Sequence, residues 1–161
     1  MSPIGERLTS YWSAHGLKPP PSVPKERLRE FEGRFGVTLP VDMGSYFLRV
    51  DGMGSRDVSD DDWFSFWSLE EIVQASDEYL DQFIEEQSSY FVFADHSICL
   101  PAYAIRLTPD GTGPHRVIAI YSDRREYSIS VVAHSFSEFA ERYLADENSR
   151  SDLSAGVSVE T

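Results

Sequence analysis

Two pairs of histidine and carboxylate side chains stand close enough in the sequence to share a proton or a metal ion. His134 and Glu138 are four residues apart, the spacing of neighbours on one helix face, and Asp95 directly precedes His96. Acid–base catalysis and metal binding both use such residues. Neither pair belongs to a zinc motif, because the sequence contains no His-Glu-x-x-His and no Cys-x-x-Cys. We therefore favour structural roles, a contact at a helix start for His134 with Glu138 and a turn for Asp95.

Motifs for nucleophilic or cofactor chemistry are missing from the sequence. It contains no Gly-x-Ser-x-Gly, no phosphate-binding Gly-Lys-Ser/Thr loop and no Gly-x-Gly-x-x-Gly. No basic residue in the segment around Cys99 would favour its thiolate, so we expect a buried structural cysteine. The acidic run from Asp57 to Asp62 lacks the glycine and the final glutamate of an EF-hand loop. The sequence therefore predicts no catalytic residue, cofactor or metal site, and a small enzyme built on Asp95 and His96 is the least favoured interpretation.

The most informative feature is an acidic segment in the middle of the chain. Between Asp57 and Glu86 it carries eleven carboxylates and no lysine or arginine. One interpretation is a solvated face that keeps the protein soluble. The other is a docking surface for a basic protein, with aromatic side chains as anchors, since aromatic residues are frequent at binding hot spots. The candidate residues of this surface are Asp57, Asp60, Asp61, Asp62, Trp63, Glu70, Glu71, Asp77, Glu78, Asp81, Glu85 and Glu86.

Length and charge limit the classes of function. The chain has 161 residues, the size of one domain, and 41% of them are hydrophobic, which suffices for a core. With 27 acidic against 14 basic residues the net charge is −13, which disfavours binding to nucleic acid and to anionic membranes. One cysteine permits no internal disulfide. The sequence shows no signal peptide or membrane span, so we expect a cytoplasmic protein, and its oligomeric state stays open.

Hydrophobic periodicity and turn residues predict that helices precede the strands. A first helix is expected over Ile4–His15 and a second from Pro24 to Gly36. A short third helix starts at Leu39 and ends before Gly52.

The strands come next and are followed by another helix. A strand is predicted at Trp63–Trp67, where aromatic residues more often enter the core than the surface, and the capping box Ser68–Glu71 opens a helix after it. A second capping box, Ser135–Glu138, opens the last helix. The other strands have connections too short for helical crossovers, so the sequence predicts an α+β fold, a single domain with helices packed on a largely antiparallel sheet. These strands are Tyr90–Ala94, Tyr103–Leu107, Val117–Tyr121 and Tyr127–Ala133.

Several short motifs occur in an order and spacing that resemble the SUKH superfamily, which includes the yeast cell-wall-assembly regulator (the Smi/Knr family) and many bacterial proteins. They are Val23-Pro24, Phe35-Gly36, Leu39-Pro40 and Asp51-Gly52, then Phe66-Trp67, Leu69–Ile72 and Phe91–Ser97, and last Val132–Phe139 with Tyr143-Leu144. The chain departs from the family pattern at Cys99–Ala102, where a Gly-Asp-like pair is common, and at Arg106, where an acid is usual.

The sequence itself predicts a helix and a proline-rich link at 1–22 and, from its serine-rich composition without aromatic residues, a flexible tail at 146–161. The resemblance covers residues 23–145 and implies an α+β domain there. It implies no catalytic centre. The bacterial members of the SUKH superfamily are similar to immunity proteins that neutralise toxins, often nucleases, delivered between competing cells. An acidic surface suits such a role, because a nuclease needs a basic surface for its phosphates. The alternative is an intracellular scaffold or regulatory module with several partners, as the yeast relatives suggest.

Overall fold

The computed structural model of the protein describes residues 2–75, 89–123 and 126–159. The helices in these ranges are α1 (Ile4–Ala14), α2 (Lys25–Phe35), α3 (Val41–Phe47), α4 (Phe136–Ala145) and α5 (Glu147–Ser154). The strands are β1 (Phe64–Phe66), β2 (Val73–Gln74), β3 (Tyr90–His96), β4 (Ala102–Arg106), β5 (Val117–Asp123) and β6 (Glu126–Ala133). The first three helices thus precede the sheet, and the last two follow it.

Proline and glycine determine where the N-terminal helices begin and end. Pro24 and Pro40 stand immediately before α2 and α3, where the fixed φ of proline suits a helix start. Gly36 ends α2 in the left-handed conformation, with a φ of 67° that glycine adopts without steric cost. Ser135 caps α4 by accepting a hydrogen bond from the N–H of Glu138 at 3.0 Å. No helix in the described ranges has the length and apolar character needed to cross a bilayer.

The strands form one antiparallel sheet in the order β1-β3-β4-β5-β6, and β2 also pairs with β3. β1 pairs with the C-terminal end of β3, where Phe64 lies opposite His96. β2 pairs with the N-terminal part of β3, where Val73 lies opposite Val92. Because side chains alternate between the faces of a strand, His96 shares a face with Phe64, and Asp95 points to the other face.

The helices cover one face of the sheet and form the main core with it. α1 contributes the fully buried Leu8 and Trp12 to this core, so the N-terminal segment packs into the same core as the sheet. The ring of Phe66 on β1 contacts that of Tyr143 on α4, with centroids 4.9 Å apart. A second, smaller group of buried side chains lies on the opposite face, and it includes Trp67, Tyr90, Val92, Ala104, Ile118 and Ile120.

This architecture confirms the predicted fold class, a single-domain α+β fold with helices packed on an antiparallel sheet. The helix predicted after Ser68 is wrong, because the chain makes only a 3₁₀ turn at Leu69–Glu71 before β2 begins at Val73. The Ser68 hydroxyl donates to the Glu71 carboxylate at 2.8 Å and caps no backbone N–H. The Ser68–Glu71 pair therefore makes a side-chain contact in place of the backbone hydrogen bond by which Ser68 would cap a helix.

The residues after Asp146 form a helix in the structure, where their composition led us to expect a flexible tail. Asp146 caps α5 by accepting a hydrogen bond from the N–H of Ser149 at 2.7 Å. Leu153 is fully buried in the main core. The N–H of Val159 donates to the carbonyl of Val131 on β6 at 2.9 Å. A side-chain cap, one buried leucine and a backbone hydrogen bond to β6 thus hold this segment on the fold.

Candidate functional site

The carboxylate of Asp60 is buried, although its neighbours in the acidic segment are exposed. Its Oδ1 accepts hydrogen bonds from the N–H groups of Asp62 and Phe64, both at 2.9 Å. Its Oδ2 accepts a hydrogen bond from the Tyr143 hydroxyl. Burial raises the pKa of Asp60, and these three hydrogen bonds oppose that rise. Asp60 therefore holds the loop before β1 in place and does not present its charge to solvent.

The contact between Asp60 and Tyr143 continues to α1. The Nε1–H of Trp12 donates to the Tyr143 hydroxyl oxygen at 3.1 Å. Tyr143 thus accepts from one helix while it donates to the loop, and burial together with the nearby Asp60 charge raises its pKa. The buried chain Trp12–Tyr143–Asp60 links α1, α4 and the acidic loop, so the position of the loop depends on the main core.

Three carboxylates beside Asp60 reach solvent. Asp57 and Asp61 are exposed. Asp62 is about half exposed and accepts a hydrogen bond from Nε of Arg150 on α5 at 3.0 Å. Asp61 and Asp62 lie in the stretch that the Asp60 carboxylate holds, and Asp57 precedes Asp60 by three residues. They form an acidic rim, the name used below for Asp57, Asp61 and Asp62.

Glu70 and Glu71 differ in their surroundings although they are adjacent. Both carboxylate oxygens of Glu71 face the N–H of Arg56, at 3.0 and 3.1 Å, so this side chain is engaged within the fold. Glu70 is largely exposed and forms an ion pair with Arg27 of α2. The remaining candidates from the sequence, Asp77, Glu78, Asp81, Glu85 and Glu86, lie outside the described residues.

Trp63 is the exposed member of the three tryptophans. Its side chain is 63% exposed, whereas Trp12 and Trp67 are buried. Its backbone is left-handed, with a φ of 70°, which is strained for a large side chain. Trp67, four residues on, lies in the opposite-face cluster and donates from Nε1 to Asp95 Oδ2 at 3.0 Å. Trp63 therefore reaches solvent beside the acidic rim.

The connection between β3 and β4 places two further apolar side chains in solvent, and the sequence analysis did not identify them. Ile98 is 89% exposed and Leu100 is 49% exposed. The three residues Ser97, Ile98 and Cys99 all have positive φ, between 49° and 63°. The N–H of Ser97 donates to the carbonyl of Trp63 at 2.9 Å, so this turn lies against the acidic loop. In the sequence, this turn is marked by the departure from the family pattern at Cys99–Ala102.

A cavity of about 310 Å³ opens between Trp63 and Ile98. The buried carboxylate of Asp95 lines it and accepts hydrogen bonds from the side chain of Trp67 and the backbone of Cys99. Burial raises the pKa of Asp95, and these hydrogen bonds oppose the rise. The rest of the lining consists of Arg56, Asp57, Ser59, Ser65, Ser97 and Cys99.

Asp95 and His96 do not converge on one site. They point to opposite faces of β3, and His96 lines a separate cavity of about 140 Å³ with Phe64 and Arg150. The second pair, His134 with Glu138, is an exposed contact at 3.3 Å at the start of α4. Within the described ranges, no group of three His, Cys, Asp or Glu side chains has the arrangement of a metal site. The arrangement that the structure does assemble is an apolar surface beside carboxylates, which suits contact with another protein.

Fold and surface together define an α+β domain with exposed carboxylates next to exposed apolar side chains. Residues 22–142 match the SMI1 / KNR4 family (SUKH-1), and the chain belongs to this family. The match confirms the SUKH resemblance, and it fits a non-enzymatic immunity or regulatory role. A search of the curated proteins finds no match to the chain.

Proposed function

We propose that the protein is a non-enzymatic binding module of the immunity type, which neutralises a bacterial toxin of the nuclease class. The observation that carries the proposal is the exposed Trp63 beside the acidic rim. Asp57 lines the same cavity as Trp63, and Asp61 and Asp62 directly precede it in the chain. Tryptophan is enriched at protein-binding hot spots, and the rims of protein interfaces are polar.

Charge explains why a nuclease is the favoured partner. A nuclease holds phosphates with lysine and arginine, so its active-site surface is basic. The net charge of −13 and the acidic rim complement such a surface and repel nucleic acid. Long-range attraction also accelerates association, which suits an inhibitor that must reach its toxin in the cytoplasm before damage occurs.

The proposed surface extends beyond the acidic rim. Glu70 adds an exposed carboxylate, and its ion pair with Arg27 is a surface contact that a basic partner can replace. The acidic residues of the segment 77–86, which lie outside the described residues, belong to this proposal through their charge in the sequence alone. Asp60 and Glu71 act indirectly, because their carboxylates hold backbone N–H groups inside the fold.

A regulatory role is the second candidate, because the same family match fits it. A regulatory module binds several proteins with weaker contacts and is encoded apart from any toxin. The two roles therefore differ in the number of partners and in how tightly each partner is held.

The test is affinity capture with the tagged protein from its own lysate, at low and at high salt, using charge-reversal variants. D57K/D61K reverses two charges of the acidic rim. E6K/E26K makes the same change in net charge at exposed positions of α1 and α2, away from Glu70, and is the matched control. For an immunity protein we expect one dominant basic partner, released by salt, lost in D57K/D61K and retained in the control.

The captured protein is then expressed in bacteria with and without this chain. Growth arrest that co-expression relieves supports toxin neutralisation. Several weakly held partners without toxicity indicate the regulatory role. Equal capture by D57K/D61K and by the wild type indicates that the acidic rim only solubilises the protein.

A further inference from the structure

We infer that Trp63 and Ile98 form an apolar ridge that anchors a basic protein partner at the centre of the interface. The partner's basic character rests on the proposed function, whereas the anchoring residues follow from the structure itself. Ile98 lies outside the acidic segment in sequence. The term apolar ridge is used below for these two side chains.

The apolar ridge is assembled from two distant parts of the chain. Ile98 is 89% exposed and Trp63 is 63% exposed, and both line the same 310 Å³ cavity. The hydrogen bond from Ser97 N–H to the Trp63 carbonyl joins the two segments directly. Apolar side chains grouped in this way on a surface mark an interaction site more often than single exposed residues do.

Buried carboxylates hold both segments of the apolar ridge. Asp60 accepts from the backbone N–H groups on either side of Trp63, and Asp95 accepts from the backbone of Cys99. A further hydrogen bond, from Leu100 N–H to the His96 carbonyl at 2.8 Å, closes the turn. The apolar ridge is therefore ordered before binding, which lowers the entropy cost of association.

The backbone of the apolar ridge is strained as well as ordered. Trp63 and Ile98 have φ values of 70° and 59°, in a region that bulky and β-branched residues avoid. Neither side chain gains burial in return, because both remain in solvent. Strain of this kind clusters at functional sites, where it holds a side chain in the position that contact requires.

Charge selects the occupant of the apolar ridge. The acidic rim borders it, and the cation in the cavity lining, Arg56, lies over the ring of Trp67 at 4.1 Å. Carboxylates therefore predominate around the ridge, and they favour a partner that brings basic groups to the same surface. A second copy of this chain would bring the same carboxylates and be repelled, and an anionic membrane is repelled in the same way. The cavity between Trp63 and Ile98 also leaves room for a partner side chain to interdigitate with the ridge.

The experiment uses a defined probe, a library of random peptides displayed on phage and selected on the full wild-type protein. Enriched peptides are synthesised and titrated against W63A, I98S and the control V41S. Val41 is 88% exposed on α3 and takes no part in the ridge. The substituted side chains are exposed, and thermal unfolding confirms that each variant is folded.

We expect the enriched peptides to combine lysine or arginine with an aromatic or aliphatic residue. W63A and I98S should each weaken their binding by about 30-fold, and V41S should leave it unchanged. Bound peptide should also shield the Trp63 indole from acrylamide quenching. Peptides without basic residues, no enrichment, or equal binding to W63A and the wild type would each overturn the inference.

Two other occupants are tested on the same protein. A concentration-dependent dimer in sedimentation that W63A abolishes would identify a second copy at the ridge and overturn the basic partner. Co-sedimentation with zwitterionic vesicles that W63A abolishes would identify a lipid surface as the occupant and would likewise overturn the basic partner.

If a captured toxin binds W63A and I98S as well as the wild type, the inference fails while the proposed function stands. If basic peptides bind the ridge but no captured protein is toxic, the inference stands while the proposed function fails.

Discussion

The hydroxyl of Tyr143, on α4, donates a hydrogen bond to the buried carboxylate of Asp60, which lies 83 residues earlier in the chain. The same hydroxyl accepts from Trp12 of α1. Because Asp60 also accepts from the N–H groups that flank Trp63, the position of the exposed tryptophan depends on two helices of the core. The surface that we propose for binding is thus coupled to the stability of the fold.

Removing the Tyr143 hydroxyl should destabilise the protein. Y143F deprives the buried Asp60 carboxylate of a donor and the Trp12 Nε1–H of its acceptor. We expect the free energy of unfolding to fall by about 1–3 kcal/mol, as for other buried groups left unpaired. Chemical denaturation measures the change.

Tyr103 provides the matched control for Y143F. It is also fully buried, but its hydroxyl has no hydrogen-bond partner among the described residues. Y103F should therefore leave the stability unchanged or raise it. A loss in Y103F equal to that in Y143F would show that the ring environment, and not the hydrogen bond, is responsible.

Glycine at position 52 is required by a close backbone contact. Gly52 has a φ of 59°, and a Cβ there would lie 2.4 Å from the carbonyl oxygen of Trp67. We expect G52A to lower the free energy of unfolding by about 2 kcal/mol or more. G33A is the control, because its added Cβ meets nothing within 4 Å in α2, and it should gain about 0.5–1 kcal/mol from helix propensity. Urea unfolding of both variants tests the pair.

Glycine at position 98 should relieve the strain of the turn between β3 and β4. Ile98 has a positive φ and is almost fully exposed, so I98G loses little burial and removes a steric conflict. We expect a net gain on the order of 1 kcal/mol, the strain released less the entropy cost of glycine. V41G, at an equally exposed residue in helical conformation, should instead lose up to about 1 kcal/mol. A destabilised I98G would contradict the strain argument.

Stability should increase on mild acidification. Burial raises the folded-state pKa of both Asp60 and Asp95. The stabilisation linked to such groups is fully present below the unfolded pKa of about 3.9 and is lost as the pH rises through the higher folded pKa. The free energy of unfolding should therefore fall as the pH is raised from about 4 towards 7. Denaturation at a series of pH values measures it.

The variant D95N isolates one of these groups. It removes the titrating carboxylate and should flatten the pH dependence, whereas D57N, at an exposed position, removes a charge without removing a buried group. Asp110 and Asp146 act in the opposite sense, because hydrogen bonds from Thr112 and Ser149 lower their pKa values. Their contribution is lost only below the ordinary carboxylate pKa of about 3.9. An identical slope in D95N and D57N would contradict the assignment to Asp95.

Much of the local structure could be predicted from short sequence patterns. Pro24, Gly36 and the Ser135 capping box mark helix ends through their own backbone preferences and local hydrogen bonds. The capping box at Ser68 shows the limit of this reasoning, because the pairing of Val73 with Val92 directs the chain into β2. Leu153 likewise orders α5 by entering a core formed by residues far away in the chain.

The sequence by itself determined the fold class, the family and the acidic character of the segment that begins at Asp57. These depend on periodicity, composition and motif order, which are local properties of the chain. Only the tertiary structure decided that Asp60 is buried while Asp61 is exposed, because the donor that Asp60 requires is Tyr143 on α4. In the same way, Trp67 is buried because it packs with Val92 and Ile118 of other strands and donates to Asp95. Trp63 enters neither buried cluster of the described residues and stays exposed. Burial is a property of contacts between distant segments, so adjacent residues of one type acquire different roles.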